Sequence, residues 1–278
     1  MLIVDSQVHI WAPNTAERPW PPPSEPYPHR AEPLTQDELL KEMDAAGVHR
    51  ALLVAPAWEG PRNDVVLAAA DAHPDRFAVM GRIDLDAPAL PGVIESWLER
   101  HGMLGIRFTV HRAQQRALLT ESRLDWLWPR AERAGVPIML FARHEDSHII
   151  DAIAERHPAL KLALDHLGLT DGNDEQAFRN LDDLLKLARR PNVALKLSCL
   201  PIYTSDAYPY RRLHSHLRRV YDAFGAERLF WGTDLSRLPC SYREAVTMFT
   251  QEMPWLEAEA LELTMGRALC DWLGWPAR

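Results

Sequence analysis

Pro137-Ile-Met-Leu-Phe141 and Lys161-Leu-Ala-Leu164 are two short apolar runs, separated by an amphipathic segment, residues 147–156, that stops at Pro158. Runs this short suit strands that are covered on both faces, as in a parallel sheet. Parallel neighbours need a crossover between them, usually a helix, and the intervening segment supplies one. The same unit extends in both directions. Apolar runs recur at residues 2–4, 51–55, 77–83, 105–110, 193–197 and 228–231, which makes eight in all. Between them, Thr35-Gln-Asp-Glu38 has the form of a capping box ahead of Leu39, Leu40, Met43 and Ala46, with Gly47 as a stop. Helices are predicted also over 63–73, 91–100, 121–134, 147–156, 174–190, 208–224 and 241–253, most of them ending at a glycine or proline, and 257–273 reads as an extra C-terminal helix.

Eight strand–helix units predict an α/β fold of the (β/α)8 TIM-barrel type. An open doubly wound sheet would need fewer strands, and no Gly-x-Gly-x-x-Gly phosphate loop follows the first one. The length of 278 residues suits one such domain, 1–278, of the usual size of about 250 residues. No internal linker or low-complexity tract divides it. One segment departs from the pattern: residues 12–33 carry eight prolines and no apolar periodicity. This stiff loop leaves the C-terminal end of strand one, the face on which barrel enzymes build their sites. It is either a surface excursion or a pocket wall.

The formal net charge of −8 disfavours phosphate backbones and anionic lipid, so neither nucleic acid nor membrane is an expected partner. A local cluster of arginines would still admit an acidic small molecule. Three cysteines, Cys199, Cys240 and Cys270, form no CxxC pair, which together with a start lacking a basic-then-apolar leader predicts a reduced, cytoplasmic setting. A homo-oligomer is compatible with these features and is not specified by them.

Strand one reads Ile3-Val-Asp-Ser-Gln-Val-His-Ile-Trp11. Alternation places Asp5, Gln7 and His9 on one face, and if Ile3 points inward, Gln7 and His9 reach the mouth. Strand six ends Leu164-Asp165-His166-Leu167-Gly168, and strand eight ends Phe230-Trp231-Gly232-Thr233-Asp234. A lone histidine near a strand is usually structural. Polar groups at the tops of strands one, six and eight, with one and eight adjacent in a closed barrel, form a candidate catalytic cluster of His9, His166 and Asp234. Arg107 on strand four and Arg143 after strand five offer forked guanidiniums to a carboxylate-bearing substrate, against a reading as surface salt bridges, which is the stronger one for Arg237. Trp11, Trp58 and Tyr203 suit either a pocket lining or packing. Lys196, inside strand seven, needs a partner or else faces the helix layer. Arg211, Arg212, Arg218 and Arg219 read as a solvated helix face.

With these residues in place the chain resembles the amidohydrolase superfamily, in its amidohydrolase-2 branch, which includes lactone hydrolases for small sugar and dicarboxylic acids. The resemblance covers nearly the whole length. The strand-one His-x-His is matched as Gln7-Val-His9, the strand-four Gly-Ile-Arg-Phe as Gly105 to Phe108, the strand-six Asp-His-x-Gly as Asp165 to Gly168, and the strand-eight Trp-Gly-[Ser/Thr]-Asp as Trp231 to Asp234. It implies that the histidines and Asp234 bind a divalent metal or the substrate and that Asp234 serves as general base for water. Two departures weigh on the metal. Gln7 stands where the family usually has its first histidine, and an amide is a poor zinc ligand. Strand five ends Phe141-Ala-Arg143 without a metal histidine, although His144 lies just beyond and could reach inward.

The resemblance and the residues together predict a hydrolase acting on a small anionic lactone, ester or amide through aspartate-activated water. Gln7 is a substrate-binding candidate alongside Arg107, Arg143 and Trp11. One divalent ion, zinc by preference, would sit on His9, His166 and Asp234, and metal-free catalysis is the alternative. A decarboxylase of the same superfamily and a partner-dependent subunit with a degenerate metal site are the competing readings.

Overall fold

The computed structural model describes residues 1–22, 29–85 and 92–276. Eight parallel strands run in sequence order around one sheet: β1 (Val4–Val8), β2 (Arg50–Leu53), β3 (Phe77–Gly81), β4 (Met103–Thr109), β5 (Ile138–Phe141), β6 (Leu162–Leu164), β7 (Val193–Leu197) and β8 (Leu229–Trp231). The helices are α1 (Gln36–Ala46), α2 (Asp64–Ala72), α3 (Ala113–Thr120), α4 (Leu127–Ala134), α5 (Ser147–Arg156), α6 (Leu181–Leu185), α7 (Arg211–Phe224), α8 (Tyr242–Thr250), α9 (Ala258–Glu262) and α10 (Ala268–Leu273). This is the (β/α)8 TIM barrel expected, with additional helix at the C-terminus.

The apolar residues divide by strand face into two buried groups. Val4, Leu52, Val54, Ala78, Met80, Met139, Ala163, Ala194 and Phe230 fill the barrel interior. Their alternating neighbours, such as Ile3, Leu53, Val79 and Leu195, pack outward against the helices. Ala268, Leu269, Leu273 and Trp275 join the inner group and plug the lower end of the barrel. The expected helix over 257–273 is broken there by a π-helical turn, Leu263–Arg267. A Cβ at Gly266 would meet Leu2 O at 2.8 Å and Val4 Cγ2 at 2.8 Å, so only glycine lets the plug approach β1.

Three other expected helices also differ. Residues 92–100 keep only turns and a short 3-10 segment, Trp97–Glu99, that buries Ile94 and Trp97; position 91 lies outside the described residues. The helix expected over 121–134 starts only at Leu127, because Ser122 adopts φ +58°, and α3 stands ahead of it. The helix expected over 174–190 is split. Asp174 adopts φ +52°, and its carboxylate accepts hydrogen bonds from Thr204, Ser205 and Arg212, which draw it toward the loop after β7.

The β1–β8 seam shapes the site most. Val4, not Ile3, points into the barrel, so strict alternation would turn Gln7 and His9 outward. An irregularity in the β1–β2 register between Asp5 and Val8 restores them to the interior, the re-aiming that an extra residue in a strand provides. Asp5 consequently leaves their face. Its carboxylate accepts from Thr233 N at 2.9 Å, from Thr233 Oγ1 and from Tyr242 Oη of α8 at 2.8 Å. Asp234 N donates to Gln7 O at 2.8 Å, which ties the end of β8 to β1. Gly232 is required at the crossing, since a Cβ there would lie 2.4 Å from Ser6 Oγ.

Candidate active site

Two of the three predicted residues, His166 and Asp234, share an unusual backbone with Cys199, which was not predicted. His166 after β6, Cys199 after β7 and Asp234 after β8 have φ of +55°, +60° and +54°. Left-handed conformations in non-glycine residues cost on the order of 1 kcal/mol each and concentrate where function over-determines them. Here they turn three side chains inward over the barrel. His9 and His166 flank the Asp234 carboxylate, with His9 Nε2 3.4 Å from Oδ1 and His166 Nε2 3.6 Å from Oδ2. Oδ1 is buried and receives no hydrogen bond from any described residue.

Burial lowers both imidazoles to about 4, so both are neutral at pH 7. Burial raises Asp234, but His9, His166 and Arg237 outweigh it and hold the carboxyl at about 2. At neutral pH the cluster is thus an ionised carboxylate between two uncharged rings. Arg237 Nη1 lies 3.4 Å from Asp234 Oδ2.

The cluster opens into a cavity of about 350 Å³. Among its described lining residues Asp234 is the one acid, facing Arg107, Arg112 and Arg237. A cationic mouth on a chain of net charge −8 is a local device for drawing in an anion. Arg107 Nε donates to Asp165 Oδ2 at 2.7 Å, which fixes the guanidinium while it lines the cavity. The described part of the proline-rich loop supplies wall: His29 lines the cavity, with Nδ1 3.1 Å from Ser236 Oγ. Pro23, Pro26 and Pro28 lie outside the described residues.

Other predicted residues sit elsewhere. Gln7 is buried beneath the cavity rather than on it, with Nε2 3.2 Å from His9 Nε2 and Oε1 accepting from Lys196 Nζ. Arg143 is not among the lining residues. Its Nε donates to His111 O at 2.6 Å and its Nη1 is 3.8 Å from Asp171, so it braces the loop after β4. Trp11 is buried with its ring edge-on to Trp58, 5.6 Å between centroids, and Trp58 is the one that reaches the cavity. His144 turns away to the turn after β6, where its Nε2 pairs with Leu167 O. Lys196 faces the barrel interior, fully buried, with Nζ 3.0 Å from Asp165 Oδ1.

Residues that strand-top reasoning passed over also face the cavity. His111 and Arg112 lie just beyond Val110 after β4, a position that could have flagged them; His111 stacks on Phe141 at 4.1 Å between centroids. Cys199 carried no sequence signal, because its role depends on a left-handed backbone that nothing in the local sequence requires.

The donor chemistry suits one divalent ion on a different set of three residues than expected. His166, Cys199 and Asp234 are buried and offer ligand atoms within 4.8 Å of one another. His9 falls outside that set. It leans on Oδ1 while His166 leans on Oδ2. Nitrogen, sulfur and oxygen ligands in a closed group of three are acceptable to zinc.

A family model described as Amidohydrolase matches residues 4–273. The 4-sulfomuconolactone hydrolase of Hydrogenophaga intermedia is 27% identical over 240 residues, which cover 83% of this chain and 73% of that one. The L-fucono-1,5-lactonase of Burkholderia multivorans is 27% identical, across 100% of this chain and 95% of its own. A crystal structure of an amidohydrolase from Burkholderia multivorans with bound zinc superimposes with a TM-score of 0.82 at 23% identity, covering 99% of this chain and 100% of that one. With nearly its whole length matched and the strand-top cluster in place, the chain belongs to the amidohydrolase family.

Proposed function

We propose that this chain hydrolyses a small anionic lactone, with Asp234 as general base. The observation that carries this reading is the buried, unpartnered Oδ1 of an ionised carboxylate at the floor of an arginine-lined cavity. A water donating to Oδ1 is placed against a carbonyl in the cavity. As it attacks, its proton passes to Oδ1. Ser198 Oγ lies 2.8 Å from His166 Nδ1. When that hydroxyl donates to Nδ1, the proton of His166 is on Nε2, available to the developing oxyanion. Arg107 and Arg112 hold the substrate's anionic group. Ring opening then returns the proton from Asp234 to the departing alkoxide, so water and lactone give one hydroxy acid. A lactone carbonyl is activated enough for such a site. The relatives named for lactone hydrolysis support the same substrate class.

His166, Cys199 and Asp234 would hold a divalent ion, which when bound supplies Lewis-acid polarisation of the carbonyl. Decarboxylation is less well supported, since it calls for the full ligand set and here Gln7 is committed to Lys196 and His144 to Leu167. The reaction is proposed to run within one domain, and the three free cysteines fit a reducing, cytoplasmic compartment. No described helix is long and apolar enough to cross a membrane.

A panel of anionic lactones, followed by acid release with and without chelator, tests the assignment. Wild-type protein should release acid from at least one of them, and Asp234→Asn should lower kcat by about 10³-fold or more with the fold retained. Near-normal turnover in that variant would overturn the role given to Asp234.

A further inference from the structure

Arg82, directly after β3, is a strand-top cation that the hydrolytic steps above do not use. Among the described residues its side chain has no hydrogen bond or ion pair, and its Nη1 is buried without a partner. The carboxylate nearest to hand is already taken: Arg107 Nε and Lys196 Nζ share Asp165, at 2.7 and 3.0 Å. We infer that Arg82 and Arg107 together form the subsite for the substrate's anionic group, and that this subsite selects lactones whose acid lies several bonds from the scissile carbonyl. The inference rests on the proposed lactone hydrolysis and deepens it.

The backbone fixes where Arg82 points. Met80 belongs to the barrel interior, and alternation turns Arg82, two residues on, to the same side. Gly81 pairs with Ile106, which sets Arg82 beside Arg107 of the next strand. Asn63 clamps the position from both sides: Arg82 N donates to Asn63 Oδ1 at 2.7 Å, and Asn63 Nδ2 donates to Arg82 O at 2.9 Å. Arg82 is not itself a lining residue of the cavity. It stands on the strand between β2, followed by the lining residues Pro56 and Ala57, and β4, which supplies Arg107 and Thr109. Burial, and then the charge of Arg107, lower its guanidinium to about 9, so it is still a cation at pH 7.

Two neighbouring guanidiniums repel, and a buried charge without a partner is costly. An anion seated at Arg107 offsets both costs. Arg107 has only Nε committed to Asp165, so the rest of its fork and the open Nη1 of Arg82 are left for a carboxylate. The selectivity follows from the ring. In a barrel of eight strands in sequence order, β3 and β4 stand across from β7 and β8, so the pair faces Asp234 over the cavity. A lactone gripped there by its acid presents to Asp234 a carbonyl at its other end.

Binding tests this without turnover. In calorimetric titrations, wild-type protein should bind glutarate at least tenfold more tightly than malonate, whose two acids are too close to span the mouth. Arg82→Met should weaken glutarate at least tenfold and erase that preference. Its urea midpoint in anion-free buffer should be no lower than that of wild type, because an unpaired charge has been removed; a purely structural arginine would lower it. On an anionic lactone that wild type opens, KM should rise at least tenfold with kcat within threefold. Unchanged glutarate affinity in Arg82→Met overturns the subsite, as does a fall in urea midpoint with unchanged KM. A wild type that favours malonate, or binds neither acid, overturns it as well. If Arg82→Met does not fold, Arg82→Lys, which keeps the charge and loses the fork, should weaken glutarate at least threefold, and an unchanged affinity there is equally decisive. Arg82-dependent glutarate binding in a protein that opens no lactone would count against the proposed function and leave the subsite standing.

Discussion

His9 and His166 lie on opposite sides of one carboxylate, at similar distances and with similarly lowered basicity, yet their surroundings differ. His9 is wired on both ring nitrogens, by Gln7 and by the Val54 carbonyl, and every partner beyond it has a fixed polarity. His166 has Nδ1 against both a hydroxyl and a carbonyl of Ser198, at 2.8 and 3.3 Å. A hydroxyl can donate or accept, so the hydrogen of His166 can sit on either nitrogen. The first side is a settled scaffold. The second can change state as charge develops on a substrate. Two residues of one type beside one base thus need not do one job, and the second bond on each ring assigns it.

Substitutions should separate the two rings. Removing the shared element should cost most: Asp234→Asn by about 10³-fold or more in kcat, as stated above. His166→Asn should follow, with about a 100-fold loss in kcat, the scale of a lost oxyanion donor. His9→Asn should cost only about tenfold, the value of one hydrogen bond in the packing beside the carboxylate. Steady-state kinetics on one lactone would show the ordering, and equal losses at the two histidines would erase the distinction. Ser198→Ala leaves the Ser198 carbonyl as the neighbour of Nδ1, which favours the hydrogen there and removes the Nε2 donor from part of the population. A fall of about threefold to tenfold in kcat with little change in KM is expected, and a rise in KM alone would place Ser198 in binding instead.

Acid should act on both rings through protonation. His9 is held at about 4 against an ordinary 6.5. The folded protein binds fewer protons at this ring than the unfolded chain does between those values. Stability is therefore full above pH 6.5 and declines as pH falls toward 4, by on the order of 3 kcal/mol from this ring. Turnover should stay level until pH approaches 4 and then fall, as a cationic His9 clamps Asp234. Urea midpoints that rise on acidification from pH 6.5 would contradict this burial.

Much of the site was legible because its signal was local. Asp165-His166 and Thr233-Asp234 end apolar runs, and a residue ending a barrel strand is at the mouth wherever its strand lies in the ring. His9 was placed at the mouth for the wrong reason, and Gln7, placed there too, faces inward but lies beneath the cavity. The expected inward Ile3 is outward, and the irregularity after Asp5 restores the result. Arg143 and His144 show the opposite case, correctly near the mouth but spent on His111 and Leu167. Broken helices escaped for a similar reason: the left-handed turns at Ser122 and Asp174 carry no glycine to announce them.

Local pattern in the chain sets the alternation of eight strands with helices, the ends at which polar residues gather, and the family those residues resemble. Those depend on periodicity and on neighbours a few positions apart. Tertiary structure alone decided what each polar group is bonded to. Lys196 meets Gln7 across 189 positions, Asp5 meets Thr233 across 228, and Cys199 joins His166 and Asp234 from a different strand. Closing the barrel brings those partners within bonding distance. Hydrogen-bond polarity inside it is set by whichever group arrives, which no local pattern encodes.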